Sequence, residues 1–159
     1  MIDDIDEKQE PVERWISFYL GEERYAVEVK KVREILRIHN IVPVPGAADY
    51  VLGITNIRGS VVTVIDGRSR MHLTQKKQDK LSRVVIIEYY DEYIGIVVDS
   101  VADVIDLPAS AIDINPKINS HEGEKYIRGV VSSQRGLIII LDIERFLGCE
   151  QNTALAMGF

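Results

Sequence analysis

The chain has 159 residues, is 46% hydrophobic and 28% charged, and carries a net charge of −6. That length fits one ordinary domain or two very small ones, with enough apolar side chains for a packed core. The acidic balance argues against a dominant nucleic-acid surface, because Lys30-Lys31 and Lys76-Lys77 are the longest basic runs and phosphate binding rests on clustered Lys and Arg. Cys149 is the only cysteine, which excludes an internal disulfide and suits a reducing cytosol. The acidic start, Met1 to Glu7, lacks the pattern of an export signal. No apolar run approaches the roughly 20 residues of a membrane span, so no direct membrane insertion is expected.

In chain order, residues 1–13 are charged and are expected to fray. Arg14 to Leu20 reads as a strand, with Ile16, Phe18 and Leu20 facing one way. Gly21-Glu22-Glu23 turns the chain into a second strand from Arg24 to Val29. Val29, Val32, Ile35 and Leu36 fit either a helical turn or two or a bent strand. Pro43-Val44-Pro45-Gly46 marks a crossover, and Ala47 to Leu52 is compatible with a short helix. Ile54 to Arg58 and Ser60 to Asp66 read as strands joined at Gly59. Met71 to Ser82, rich in Lys and Gln, is predicted as an exposed loop. Arg83 to Tyr90, Tyr93 to Val98 and Val101 to Leu107 follow as strands, then a helical turn over Pro108 to Ala111. Ala111 to Lys125 is polar and irregular. Tyr126 to Ser132 and Leu137 to Leu141 make a last strand pair, and Asp142 is placed to cap a short helix ending at Leu147 and Gly148. Residues 149–159 read as a flexible tail.

Part of this pattern occurs twice. Tyr25 to Leu36 is echoed by Tyr93 to Ile105, a match that needs a one-residue gap, and Gly53 to Asp66 by Gly129 to Asp142. Many short strands separated by turn residues indicate an all-β fold. The repeat divides it into two similar units with a groove between them, a natural place for a partner.

Catalytic signatures are missing from the sequence. There is no Gly-x-Ser-x-Gly, no phosphate-binding Gly-rich loop and no kinase signature. His39, His72 and His121 have no His or Cys at metal-ligand spacing. Asp99, Asp103 and Asp106 form the densest acidic cluster, but without the ligand number or turn of a calcium loop. Asp66 and Asp142 are explained by capping or turn formation. No cofactor, no metal and no enzymatic activity are expected. Glu34, alone, reads as a surface carboxylate. In Asn56-Ile57-Arg58-Gly59 a tight turn would project Arg58, whose guanidinium could meet a carboxylate, carbonyls or apolar surface.

Taken together, Lys31-Val32-Arg33-Glu34-Ile35, Gly53 to Gly59 running into Asp66, Gly95 to Val101, and Tyr126 to Gly129 with Leu137 to Leu147 resemble the CheW family, the coupling proteins of bacterial chemotaxis. The resemblance covers about Trp15 to Leu147, and no kinase or receiver sequence is attached. It implies two five-stranded antiparallel β-barrels of src-homology type with short helices and a C-terminal helix. The domain would span 14–147, one barrel mainly 24–83 and the other mainly 84–141, intertwined and completed by the terminal segments. It also implies a cytoplasmic adaptor, recruited to the membrane by its receptors, that binds the regulatory domain of the histidine kinase CheA and the cytoplasmic tip of chemoreceptors. By position, Val32, Glu34, Ile35, Arg58, Val98, Asp99 and Ser100 correspond to receptor-binding residues. Ile41, Val42, Val44 and Tyr50 are assigned to the kinase interface. Gly67 departs from the usual Leu, which would loosen the backbone at Arg68. Within the same class, a pathway controlling pili, development or second messengers is the alternative output. A nucleic-acid-binding small barrel and a metal-dependent hydrolase are weaker readings from other classes.

Overall fold

The computed structural model describes residues 10–114 and 125–148. Ten strands form two five-stranded sheets: β1 (Val12–Leu20), β2 (Glu23–Glu28), β3 (Val32–Leu36), β4 (Val51–Ile57), β5 (Ser60–Asp66), β6 (Arg83–Tyr89), β7 (Glu92–Val98), β8 (Ser100–Pro108), β9 (Ile127–Ser133) and β10 (Gly136–Leu141). Two one-turn helices follow β5 and β10: α1 (Gly67–Arg70) and α2 (Ile143–Phe146). Sheet one has the order β8-β1-β2-β10-β9 and sheet two the order β3-β6-β7-β5-β4. The sheets are not purely antiparallel: β2 runs parallel to β10 and β5 parallel to β7, because each terminal hairpin adds to the other strands through its second strand.

Alternation along the strands produces three apolar layers. Ile16, Phe18, Leu20 and Val27 of sheet one meet Val85, Ile87, Ile94 and Ile96 of sheet two in a core between the sheets. The opposite face of sheet two covers Val62, Val64, Val84 and Ile86, and that of sheet one covers Trp15, Ala26, Ile138 and Ile140. Each sheet therefore curls around its own cluster and shares a third with its neighbour.

The pairing registers show the duplication directly. Phe18 faces Tyr25 as Ile87 faces Ile94, a shift of 69 at both members (18 to 87, 25 to 94). Ile54 faces Thr63 as Val130 faces Ile139, a shift of 76 (54 to 130, 63 to 139). The repeats exchange their third strands. β3 follows β2 but pairs with β6, and β8 follows β7 but pairs with β1, in matching register: Val32 opposite Ile87, and Val101 opposite Phe18. The sheets cut the chain at other points than 24–83 and 84–141. Sheet two is the continuous stretch from β3 to β7, whereas sheet one joins β1 and β2 to β8, β9 and β10. The repeat boundary falls near the loop before β6, but the sheet boundaries fall where the chain crosses over, after β2 and after β7.

Within the repeat, Tyr25 does not correspond to Tyr93. The register sets Tyr93 in the place of Arg24 (24 to 93), so Tyr25 packs in the central core and Tyr93 against the core of sheet two. A one-residue slip moves a side chain to the other face of a sheet. Other local expectations change as well. The segment after β2 is a 3-10 turn (Val29–Lys31) followed by β3, so both readings hold in succession. Ala47 to Leu52 holds no helix; two turns, Ala47 N–H to Val44 O at 3.2 Å and Val51 N–H to Ala48 O at 2.9 Å, lead into β4. Val12 and Glu13 are part of β1, paired with Pro108 and Leu107, so the N-terminal tail is shorter than 1–13. Residues 1–9 and 149–159, the rest of the expected tails, lie outside the described residues, as do Cys149 and His121.

Asp66 and Asp142 open the two helices. Asp66 Oδ2 accepts from Ser69 N–H at 3.1 Å, and Asp142 Oδ1 from Arg145 N–H at 3.3 Å. Gly67 is not a loose point. A Cβ there would lie 2.7 Å from Val97 O and 2.8 Å from Leu20 Cδ2, so the close approach of α1 to β7 excludes a side chain. Arg68 is in turn fixed by Asp99 at 2.6 Å and Thr74 O at 2.7 Å.

Candidate functional site

β3 and β4 are the opposite edges of sheet two, yet the curl brings their ends together. A bulge between Val32 and Glu34 puts Val32 and Ile35, three residues apart, on the face that packs against the central core, and turns Arg33 and Glu34 outward. Facing them is the turn between β4 and β5. Arg58 (φ 50°) and Gly59 (φ 89°) both have left-handed backbones, the signature of a two-residue hairpin loop whose twist matches the strands. Glycine takes this conformation freely; an arginine there costs about 1–2 kcal/mol. Asn56 Oδ1 holds the turn by accepting the Gly59 N–H at 3.0 Å. Arg58 Nη2 donates to Glu34 Oε2, an ion pair that ties one sheet edge to the other. A hollow of about 220 Å³ opens beside it, with Ile57, Val62, Ile86 and Tyr93 among its lining residues. Arg33 sits at its rim, 3.8 Å from Glu88 and with its guanidinium 5.7 Å from the centre of the Tyr93 ring.

The Arg58 side chain is 69% exposed and that of Glu34 28%. A pair so open to water stabilises the fold by at most about 1 kcal/mol. A left-handed arginine held for so small a gain is suited to presenting charge next to apolar surface.

Of the receptor-side residues expected from sequence, the structure brings Glu34 and Arg58 together, while Val32 and Ile35 flank Glu34 on β3 and face the central core. Val98, Asp99 and Ser100 are elsewhere. Glu34 lies opposite Ile86, which lies opposite Gly95, and Asp99 is four residues further along, about 13 Å at strand spacing. Val98 is 1% exposed and packs in the central core, so it supports this segment from inside and offers no contact surface. The Asp99 carboxylate accepts from Gly21 N–H at 2.8 Å and Arg68 at 2.6 Å, anchoring the crossover to both the β1–β2 turn and α1. Ser100 opens β8 in the other sheet.

Ile41, Val42, Val44 and Tyr50 flank β4. Val42 is exposed and bridges Ile54 by two backbone hydrogen bonds of 2.8 and 2.9 Å. Ile41 packs against the core of sheet two. Tyr50 lies against the central core, and its ring is covered by Arg70 at 4.1 Å.

Sequence reading missed two polar constellations. In the first, Arg70 is buried between the rings of Tyr50 and Tyr126 (4.1 and 4.4 Å) and donates to Phe146 O at 2.7 Å and Arg145 O at 3.2 Å. The second joins β1, β2 and β8. Ser17 Oγ donates to Asp103 Oδ1 at 2.6 Å, Arg24 Nε donates to Ser17 Oγ at 3.2 Å, and Arg24 Nη2 pairs with the same Asp103 carboxylate. Arg24 is 8% exposed. Its sequence signal was an arginine in phase with Ala26, on the inward face of the strand.

The Ser17 hydroxyl, followed by Arg24 and Arg135, holds the Asp103 carboxyl below the usual carboxylate range against the opposing effect of burial. The pKa is depressed in the folded chain, so the stabilisation is complete above the unfolded value near 4 and is lost as the pH falls through the lower folded value. Asp103→Asn is expected to flatten the acid limb of a urea-midpoint-versus-pH curve below about pH 4 while lowering the neutral plateau. An unchanged acid limb would remove Asp103 from the acid response. The other two aspartates of the acidic cluster have arginine partners of their own, Asp106 with Arg14 at 3.1 Å and Asp99 with Arg68. No group of three potential metal ligands occurs among the described residues. Nor is any helix among them long and apolar enough to cross a membrane.

Paired curled sheets, a charged pair beside a shallow hollow and carboxylates held by arginines define a small β-rich protein equipped for binding at its surfaces. A family model described as the CheW-like domain matches residues 14–151. The chain is 31% identical to a chemotaxis protein CheW of Treponema pallidum, over 89% of this chain and 85% of that one. It is 31% identical to the Bacillus subtilis chemotaxis protein CheW, over 88% and 90%. The crystal structure of a CheW scaffolding protein from Thermoanaerobacter tengcongensis superposes with a TM-score of 0.78 at 26% identity, covering 86% of this chain and 92% of that one. The chain belongs to the CheW-like domain family.

Proposed function

We propose that the protein is a chemotaxis coupling adaptor that joins the cytoplasmic tip of a chemoreceptor to the regulatory domain of the kinase CheA and acts without making or breaking a bond. The observation that carries this reading is the Glu34–Arg58 pair, which closes the curl of sheet two beside a hollow of mixed polar and apolar lining and leaves its guanidinium open to a partner. A helical receptor tip fits such a surface: apolar anchors at i, i+3, i+4 and i+7 would enter the hollow beside Ile57 and Tyr93, Glu34 and Arg58 would set its orientation, and Val32 and Ile35 would brace β3 from the core side. Asp99 and Ser100 would hold a separate stretch of the receptor face, positioned by Arg68 and by buried Val98. Ile41, Val42, Val44 and Tyr50 would meet the kinase. Such an adaptor works in the cytoplasm and reaches the membrane through its receptor. Individual contacts need not be tight, since an array raises avidity through effective concentration. A receptor signal passes only if the receptor's two states bind the assembly with different affinity.

Glu34→Lys places two cations together where the partner is oriented. Receptor capture in a pull-down with receptor-bearing membranes is expected to fall about 30- to 100-fold, an effect of about 2–3 kcal/mol, with circular dichroism, melting temperature and kinase binding near those of the parent. Receptor capture equal to that of the parent would remove the Glu34–Arg58 surface from this role.

A further inference from the structure

The duplication gives the Glu34–Arg58 hollow a counterpart in sheet one. Shifting by 69 carries Glu34 to Asp103, Ile86 to Ser17 (in reverse) and Tyr93 to Arg24 (in reverse); shifting by 76 carries Arg58 to Gln134, next to Arg135. At that place the edges β8 and β9 approach each other, Arg135 Nη1 stands 3.6 Å from Asp103 Oδ2, and a hollow of about 390 Å³ opens. The two hollows share a plan and differ in floor. Tyr93 and Ile86 line the first, whereas the second has the guanidinium of Arg24, fixed from behind by the Ser17 hydroxyl.

We propose that the sheet-one hollow is a docking site for a carboxylate, an Asp or Glu side chain carried on an exposed segment of a partner protein. Charge complementarity supports that occupant. Two guanidiniums that cannot lose their protons, Arg24 and Arg135, share the single carboxylate of Asp103, which leaves one unit of positive charge. Asp106 on the rim does not supply the missing anion, because Arg14 already holds it at 3.1 Å. Ile105, Leu107, Val131 and Ile138 form the apolar part of the lining and lower the local dielectric, which strengthens an ion pair made there. Arg24 is buried and pre-oriented by Ser17 and Asp103, so little rotamer freedom remains to be lost on binding, and a guanidinium fork matches a carboxylate in two hydrogen bonds. Arg135 is 78% exposed on the β9–β10 turn and can close over the incoming group. The two ends of the molecule thus differ at one matched position, an aromatic Tyr93 in sheet two and a buried cationic Arg24 in sheet one. This inference does not depend on the receptor reading.

The test uses the full chain labelled with nitrogen-15 and two capped pentapeptides, Gly-Glu-Val-Glu-Gly and its twin with Gln at both Glu positions. The Nε–Hε signals of Arg24 and Arg135 are expected to shift and saturate with the first peptide and not with the second. Arg135→Gln, at an exposed position that leaves the fold intact, is expected to weaken binding at least about ten-fold. Equal shifts with both peptides, shifts centred instead on Lys30, Lys31 and Arg128, which gather around Glu28 at 3.3–3.9 Å, or no saturation by about 10 mM, ten times the Kd of about 1 mM set for a short charged peptide, would each overturn the proposal. So would shifts that track protein concentration and vanish on dilution, which would identify the occupant as a second copy of the chain.

Discussion

Arg70→Ala is expected to destabilise the protein by about 3 kcal/mol, a fall in melting temperature of roughly 6–12 °C for a chain of this size. The carbonyl of Phe146 at the end of α2 has Arg70 as its donor, and a buried carbonyl left without one costs about 1–3 kcal/mol, whereas Arg145 O keeps the Gly148 N–H at 3.0 Å. The rings of Tyr50 and Tyr126 lose the guanidinium between them, worth a further amount of about 1 kcal/mol. Tyr50 O accepts the Asp66 N–H at 2.7 Å and Tyr126 O accepts the Asp142 N–H at 2.8 Å, so each tyrosine sits at the entry to one helix, and Arg70 ties the two repeats at their point of closest equivalence. Arg70→Lys keeps the charge without the fork and is expected to recover less than half of the loss. A melting curve for Arg70→Ala that overlays the parent would show that this contact carries no net stability.

Gly53→Ala is expected to cost a similar amount, about 3 kcal/mol, from a single methyl group. Gly53 has φ 149°, and a Cβ built on it would lie 2.1 Å from Val42 O and 2.6 Å from Val42 C. No rotamer relieves a clash with backbone. The variant must break the two hydrogen bonds between Val42 and Ile54 or distort β4. Because Val42 belongs to the stretch proposed for the kinase, loss of that bridge should weaken kinase binding along with stability. Hydrogen exchange at the Val42 and Ile54 amides reads this out: protection equal to that of the parent would contradict the steric argument. Gly129, its counterpart in the second repeat, shows a milder approach, 2.7 Å to Asp113 O, beside the equivalent bridge from Asp113 to Val130. The expected penalty there is smaller.

The sequence made the strands legible because their alternation is local. Ile16, Phe18 and Leu20 announce a strand with one apolar face whatever it pairs with, and Asp142 announces the helix that starts at the next residue. Gly53 and Gly129 marked the repeat because each meets a neighbouring backbone that admits no Cβ. Strand exchange was not legible. Val32 and Val101 occupy the same phase of the repeat, and nothing in either one's neighbours states whether it returns to its own hairpin or crosses to the other. The Tyr25–Tyr93 match misled for a related reason: identity at one position outweighed a phase that only the pairing register fixes. Glu34 and Arg58 could be named from motif resemblance, but their contact joins opposite edges of a sheet and depends on its curl. Val98 and Asp99 share the same limit, since a motif preserves order along the chain and not which end of a strand faces a partner. Arg24, Ser17 and Asp103 escaped because the contact spans 79 to 86 positions along the chain.

The unequal continuity of the two sheets bears on how the chain matures at the ribosome. Everything needed for sheet two lies between residues 32 and 98, so it can close soon after that stretch emerges. The first hairpin is made earlier and must wait for β8, β9 and β10 before its other greasy side, with Trp15 and Ala26, is covered. During synthesis the earliest-born segment is therefore the last to find shelter, and it is there that a nascent copy is most open to chaperones or to a mistaken embrace with a sister chain.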